Sequence, residues 1–226
     1  MKVLILRPAE LLSETIRRFR EEGFDAYGCP FIKLIYTDFD VPEHDFAIVT
    51  SQNAARVLRE RGVRLKRVIA IGKKTAELIE AEEVLLPSKF DSETLYEEFA
   101  EMLRGKRVVA FRSNAGSEAV KRLSEVADFR EIQVYRIEKL QGEEQRREVE
   151  KVREGFYDAI VFSSSMIARS LLELCDEKCL EALKNIFVVA IGPPTAKVLA
   201  EKGIRAEIPE EYTFDGVIEL LKSKKM

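Results

Sequence analysis

Six short clusters of small polar and basic residues recur along this 226-residue chain: Arg7 with Pro8, Ser51 with Gln52 and Asn53, Gly72 with Lys73, Arg112 with Ser113 and Asn114, Ser163 with Ser164 and Ser165, and Gly192 with Pro193. Each follows an apolar run and precedes a helical pattern, which predicts the carboxyl end of a β-strand entering a helix amino terminus. Hydroxyls, carboxamides and backbone N–H groups there can hold carboxylates or phosphates, and two strand-end arginines add bidentate pairing. Met166, Thr75 and Thr195 lie just inside the helices that follow and extend the same set. Ser, Thr and Asn are also the favoured helix caps, so a structural use competes at every one of these positions. For Thr75 and Thr195 the competitor is a local hydrogen bond within the first helical turn.

Other chemistries find little support. No two of the eleven glycines form Gly-x-Gly and no Gly-Lys-Ser/Thr element occurs, which discounts dinucleotide and P-loop nucleotide binding. A phosphoacceptor receiver domain needs acidic residues at its first strand end, where Arg7 stands. The only histidine, His44, lies in a polar turn (PEHD), so a catalytic triad or a histidine metal site would have to be built around one surface residue. Cys29, Cys175 and Cys179 are an odd count; the last two lie one helical turn apart without a second ligand pair, so no metal site is expected and they read as free thiols in a reducing compartment. Any catalysis would rest on positioning and hydrogen bonding.

The elements that must position these residues are set by an internal duplication. Ile-Gly-x-x-Thr-Ala occurs at 71–76 and again at 191–196, and AIVTSQN at 47–53 is echoed by AIVFSSS at 159–165. A long internal period fixes the architecture before any motif is interpreted. Apolar runs at 3–6, 46–50, 67–71, 84–86, 107–111, 158–162, 187–191 and 206–208 predict strands. Helical spacing covers 12–22, 53–61, 75–80, 92–103, 117–126, 166–174, 182–184, 195–202 and 214–222. Alternation of the two predicts an α/β protein with parallel sheets covered on both faces. Gly23, Gly62, Gly105 and Gly203 stand where helices should end. The segments 31–37 (FIKLIYT) and 132–138 (IQVYRIE) break the rhythm and predict strands outside the main sheets. If antiparallel, they form a two-stranded bridge between a discontinuous lobe (1–33 plus 139–226) and a continuous one (38–131). Two sequential lobes split near Gly105 satisfy the repeat equally well.

Net charge of −3 with interspersed signs and a pI near 5.6 argues against a nucleic-acid-binding face. The 34% charged composition without Trp is of a thermophilic kind. The first ten residues hold only a five-residue apolar run, too short for a signal-peptide core or a membrane span, and a soluble cytoplasmic protein is expected.

Taken in order, VLILRP, IVTSQNAA, IGKKTA, VVAFRSNAG, the strand Val134, Tyr135, Arg136, then VFSSS and IGPPTA resemble uroporphyrinogen-III synthases over nearly the whole chain, with looser echoes in FDSETL and TFDGVI. The resemblance implies two flavodoxin-like or Rossmann-like lobes joined by a two-stranded antiparallel linker with a cleft between them, which selects the discontinuous assignment. It also implies hydroxymethylbilane, a linear tetrapyrrole with eight carboxylates, as substrate. Its terminal hydroxyl is lost, the last ring is attacked at its substituted carbon to give a spiro intermediate, and reclosure inverts that ring. No cofactor is implied, nor any membrane or nucleic-acid partner; hydroxymethylbilane synthase is the candidate for a transient contact, and a monomer is the default expectation because two lobes already supply the cleft. Carried over position by position, Arg7, Ser51, Gln52, Gly72, Thr75, Arg112, Ser113, Ser163, Ser164, Gly192 and Thr195 should line the cleft. Many members carry a tyrosine assigned to hydroxyl departure where this chain has Ser170, and the usual Pro of the strand end is Ser165. No acid catalyst can therefore be carried over; Tyr135, Tyr212 and Ser170 itself are the candidates that remain, with packing as the competing use of Tyr135.

Overall fold

The apolar runs become strands and the periodic segments helices in the computed structural model, which describes residues 1–225. The chain runs β1 (Lys2–Leu6), α1 (Ala9–Glu21), β2 (Asp25–Cys29), β3 (Ile32–Tyr36), β4 (Phe46–Val49), α2 (Gln52–Glu60), β5 (Leu65–Ala70), α3 (Lys73–Ala76), β6 (Ala81–Leu85), α4 (Ser92–Leu103) and β7 (Arg107–Ser113). It continues with α5 (Glu118–Lys121), a 3-10 turn, β8 (Asp128–Lys139), α6 (Glu143–Arg153), β9 (Ala159–Phe162), α7 (Ser165–Leu172), α8 (Glu177–Asn185), β10 (Phe187–Ala190), α9 (Pro193–Ala200) and α10 (Phe214–Lys225). Contacts gather into two units, Met1–Leu34 with the chain from Glu138 onward, and Ile35–Ile137.

The first unit holds a sheet of order β10-β9-β1-β2, parallel throughout. Val3, Ile5, Val161 and Val189 meet Phe19 of α1 and Val217 and Leu221 of α10 in one core. Phe19 is fully buried, which contributes about 1.5–3 kcal/mol. Gly28 of β2 permits that packing, since a Cβ there would lie 2.6 Å from Ile16 and 2.8 Å from Leu12 of α1. The segment 206–208 does not become a full strand: Glu207 makes a single parallel bridge to Val189.

The second unit is built on a sheet of order β3-β8-β7-β4-β5-β6. Ile48, Ile69, Val108 and Ala110 pack against Leu95, Phe99 and Leu103 of α4. All four residues of β4 and of β9 are buried, as strands covered on both faces require. The carbonyl of Val134 accepts from Thr37 and that of Phe31 from Leu140, so β3 runs opposite to β8. One expectation is corrected here. β8 begins at Asp128 and pairs in parallel with β7 through Tyr135, so most of it belongs to the main sheet, and β3, expected outside it as well, is that sheet's edge strand beside β8. Unpaired backbone N–H and C=O groups along β7 are satisfied this way.

Gly23, Gly62, Gly105 and Gly203 do follow helices in the left-handed region, with φ of 81°, 65°, 68° and 71°. The cysteine expectation is overturned: Cys175 and Cys179 form a disulfide, and only Cys29 is a free, buried thiol. Asp176 caps α8 by accepting from Cys179 N–H at 2.8 Å, and this turn brings the two Cα atoms to 5.2 Å, within disulfide reach.

Candidate functional site

Register places the polar clusters on one edge of each sheet. In the first unit Leu6, Phe162 and Ala190 are in register, and Cys29 aligns with Leu6. Arg7 and Ser163, the next residues, and Gly192, one position further on after Ile191, therefore emerge at the carboxyl edge, and Ser163 N–H donates to Leu6 O at 3.3 Å. In the second unit Val49, Ala70 and Phe111 align, which brings Ser51, Gly72 and Ser113 to the corresponding edge.

Several of these side chains already have structural partners. Ser51 caps α2 by accepting from Ala54 N–H at 3.1 Å, and Ser164 caps α7 by accepting from Ile167 N–H at 3.2 Å. A capping hydroxyl accepts through oxygen and keeps its proton to donate, so this use leaves ligand binding open. Gln52 and Asn53 open α2, and Ser165 and Met166 open α7. Thr75 and Thr195 are buried, and their N–H groups donate to Gly72 O and Gly192 O at 3.0 and 3.1 Å.

The two Ile-Gly-x-x-Thr-Ala copies are not equivalent. Gly72 sits at φ +90°, where side-chain-bearing residues are strained, whereas Gly192 is extended. Pro193 and Pro194 carry no N–H, so α9 lacks two of the donors that a helix amino terminus normally offers. Anion binding by backbone amides, expected of both copies, is removed at those two positions in the second.

Arg7 donates to Thr15 Oγ1, and its guanidinium lies 4.4 Å from the centroid of Phe214, which orients it at the edge of the first unit. Arg112 is placed differently. Its side chain is 3% exposed, paired to Glu131 and donating to Ser117 O at 2.5 Å beneath the loop that carries Ser113 and Asn114. A Cβ at Gly116 would fall about where that guanidinium lies, 2.0 Å from Nη2, and Arg112 Nε finds no hydrogen-bond partner among the described residues. Arg112 thus shapes the loop from below. Asn114 uses both ends of its carboxamide on Ile137, accepting from N–H at 2.8 Å and donating to the carbonyl at 3.3 Å, which ties the same loop to β8.

The three candidate proton donors separate by environment. Ser170 is fully buried and donates to Phe31 O at 2.9 Å. Tyr135 is 4% exposed with its phenol 3.1 Å from Ser51 Oγ. Tyr212 is 61% exposed, beside Gly192 at the strand edge of the first unit. Sequence reasoning did not single out Phe90, which is 53% exposed in the loop after β6, because an isolated apolar residue in a polar loop carries no periodic signal. Burial pushes the Cys29 thiol up to about 12, so it supplies no thiolate nucleophile near neutral pH. His44 Nδ1 lies 2.7 Å from Pro42 O beside β4's amino end, opposite the polar clusters. Among the described residues no group of three or more His, Cys, Asp or Glu side chains could hold a metal ion, and no helix is long and apolar enough to cross a membrane.

Duplicated units on largely parallel sheets, with small polar groups gathered at the strand ends, define the class as α/β, in which strand ends are where ligands bind as a rule. The family model described as uroporphyrinogen-III synthase HemD matches residues 13–219, and the chain belongs to that family. It is 26% identical to the uroporphyrinogen-III synthase of Chlorobaculum parvum, over 95% of this chain and 94% of that one. Among solved structures it is similar to a mutant uroporphyrinogen III synthase from Thermus thermophilus, with a TM-score of 0.68 and 17% identity over 99% of this chain and 98% of that one. A second is the Helicobacter pylori enzyme, with a TM-score of 0.64 and 18% identity over 99% and 100%. The likeness to these structures concerns the fold alone.

Proposed function

We propose that this protein cyclises hydroxymethylbilane to uroporphyrinogen III, inverting the last pyrrole ring through a spiro intermediate, as a cofactor-free lyase of tetrapyrrole biosynthesis. The observation that carries this is the family match across residues 13–219. The site chemistry supports it. The bilane is already activated once its terminal hydroxyl leaves, so the protein has to fold a flexible polycarboxylate rather than supply a nucleophile.

In this reading Arg7, held by Thr15 and Phe214, and the hydroxyls of Ser51, Ser163 and Ser164 meet substrate carboxylates. Pro8, Gln52, Asn53, Gly72, Ser113, Asn114, Ser165, Met166, Gly192 and Pro193 shape the surrounding strand-end loops. Arg112, Thr75 and Thr195 support those loops from within. The protein works as a cytoplasmic monomer fed by hydroxymethylbilane synthase; disulfides occur in intracellular proteins of hyperthermophiles, which reconciles the Cys175–Cys179 bond with that compartment.

The test is to generate hydroxymethylbilane in situ, add the protein, oxidise the products and separate type I from type III uroporphyrin. Predominantly type III is expected, because spontaneous closure yields type I. Type I alone from folded protein, both near neutral pH and at elevated temperature, would leave a non-catalytic binding module in its place.

A further inference from the structure

Among the described residues the two most exposed large apolar side chains, Tyr212 at 61% and Phe90 at 53%, occupy the same place in the two units. The segments that carry them read Leu86-Pro87-Ser88-Lys89-Phe90-Asp91 and Ile208-Pro209-Glu210-Glu211-Tyr212-Thr213. Each leaves the carboxyl end of an edge segment, β6 in one unit and the Glu207 bridge in the other. Each then passes a buried proline and makes the same tight turn, in which Asp91 N–H donates to Lys89 O at 2.9 Å and Thr213 N–H to Glu211 O at 2.7 Å. Each finally caps the next helix, Asp91 accepting from Thr94 N–H at 2.8 Å and Thr213 from Gly216 N–H at 3.1 Å. This cap-to-cap register pairs Phe90 with Tyr212.

The residue before a helix cap commonly serves as a hydrophobic staple, buried against the fourth helical residue. Here it is more than half exposed in both units, so stapling does not account for the aromatic rings. Scattered surface hydrophobics need no explanation, but the same one preserved at the same turn of both halves, on the ligand-facing edge of each sheet, does. Both loops are braced. Tyr212 packs 3.7 Å from the position a Gly192 Cβ would take, Glu211 O sits against Gly216, and Ser88 N–H donates to Glu98 at 2.9 Å. A braced, exposed aromatic ring loses little freedom on stacking.

We propose that Phe90 and Tyr212 are each, in their own unit, a stacking platform for a pyrrole ring of a linear tetrapyrrole. The assignment rests on the proposed function and deepens it: carboxylate contacts alone hold the substrate's rim, whereas ring inversion demands control of the rings themselves. Glu210 and Glu211 beside Tyr212 repel the carboxylate rim, whereas Phe90 is flanked by one charge of each sign, Lys89 and Asp91.

Phe90→Ala, Tyr212→Ala and Tyr212→Phe, with Met102→Ala as an exposed control on α4, are compared by KM for hydroxymethylbilane, by product isomer ratio and by titration with uroporphyrin III. Each platform-to-Ala change should weaken KM and porphyrin binding about 2- to 13-fold, the factor an aromatic pair is worth. Tyr212→Phe and Met102→Ala should stay within about 2-fold, with every Tm within a few degrees of the parent. Unchanged binding in both Ala variants, while the parent protein makes type III product, overturns the platforms and leaves the synthase standing. Tyr212→Phe as weak as Tyr212→Ala overturns stacking there in favour of the phenol. If the parent makes only type I but the Ala variants lose porphyrin binding, the platforms stand and the synthase reading falls.

Discussion

Gly216→Ala tests whether the loop carrying Tyr212 is as tightly built as its contacts indicate. Gly216 lies in the first turn of α10, where alanine is normally the better helix former by about 0.8–1.0 kcal/mol. Here a Cβ would lie 2.2 Å from Glu211 O, 3.1 Å from its carbonyl carbon and 3.2 Å from Pro209 Cβ. The closest contact is roughly 1 Å inside normal separation, and its partner is backbone, which cannot rotate away. Overpacking of this kind costs about 1–3 kcal/mol. Displacing Glu211 also disturbs the Thr213 cap, worth about 1 kcal/mol. Offset by the propensity gain, the net is about 1–3 kcal/mol of destabilisation, a Tm lower by about 2–12 °C for a chain of this size. Scanning calorimetry with far-UV circular dichroism reads it, and KM for hydroxymethylbilane should rise because the same displacement moves Tyr212. The corresponding helix position in the second unit is Thr94, a side chain accepted there without such contact, so the constraint belongs to one loop. A variant as stable as the parent, or more so, refutes the close approach and with it the bracing of Tyr212.

Arg112→Ala should destabilise the second unit by about 2–3 kcal/mol, because charged hydrogen bonds are lost beneath the loop; partial exposure of Glu131 limits the penalty for the orphaned carboxylate. Urea unfolding reads that change, and a variant within about 0.5 kcal/mol of the parent, the scatter of surface substitutions, counts against the buried pair. Hydrogen bonds from the Arg107 side chain and backbone N–H hold the Asp45 carboxyl at about 2, below its ordinary value. A depressed folded-state pKa means the stability is present above the unfolded value and lost as pH falls through the folded one. Asp45→Asn should therefore flatten acid destabilisation between about pH 4 and 2, and a carboxyl resonance titrating near the ordinary value would contradict it. Thiol titration in denaturant without reductant should count Cys29 alone, and all three cysteines after reduction; three without reductant would mean that Cys175 and Cys179 are not bonded.

What was legible in the chain follows from periodicity. Runs such as Phe46–Val49 and Ala159–Phe162 are apolar at every position, which only a strand buried on both faces requires, and their duplication announced two similar halves. The segments that escaped are those whose order comes from neighbours. Asp25–Cys29 carries Asp, Tyr and Gly and forms no apolar run, yet it is held by the ladder to β1, and its glycine is what α1 packs upon. Glu143–Arg153 is so polar that its short buried stripe of Gln145, Glu148, Val149 and Val152 gives little helical signal; the Gln145 bond to Pro30 O and packing against α8 complete it. At the site, strand ends and capping serines follow from local rules, because a cap is decided within four residues of chain.

The sequence by itself determined the α/β alternation, the duplication and the polar strand ends, since each depends on residue types close together in the chain. Tertiary structure alone decided which of those polar residues remain at the edge: it buried Arg112 against Glu131, set Tyr135 on Ser51, closed Cys175 on Cys179 and left Phe90 and Tyr212 outward on matching turns. The physical reason is that exposure and pairing are properties of surfaces assembled from distant segments, and a charged or aromatic side chain carries no local mark of whether a partner from elsewhere will reach it.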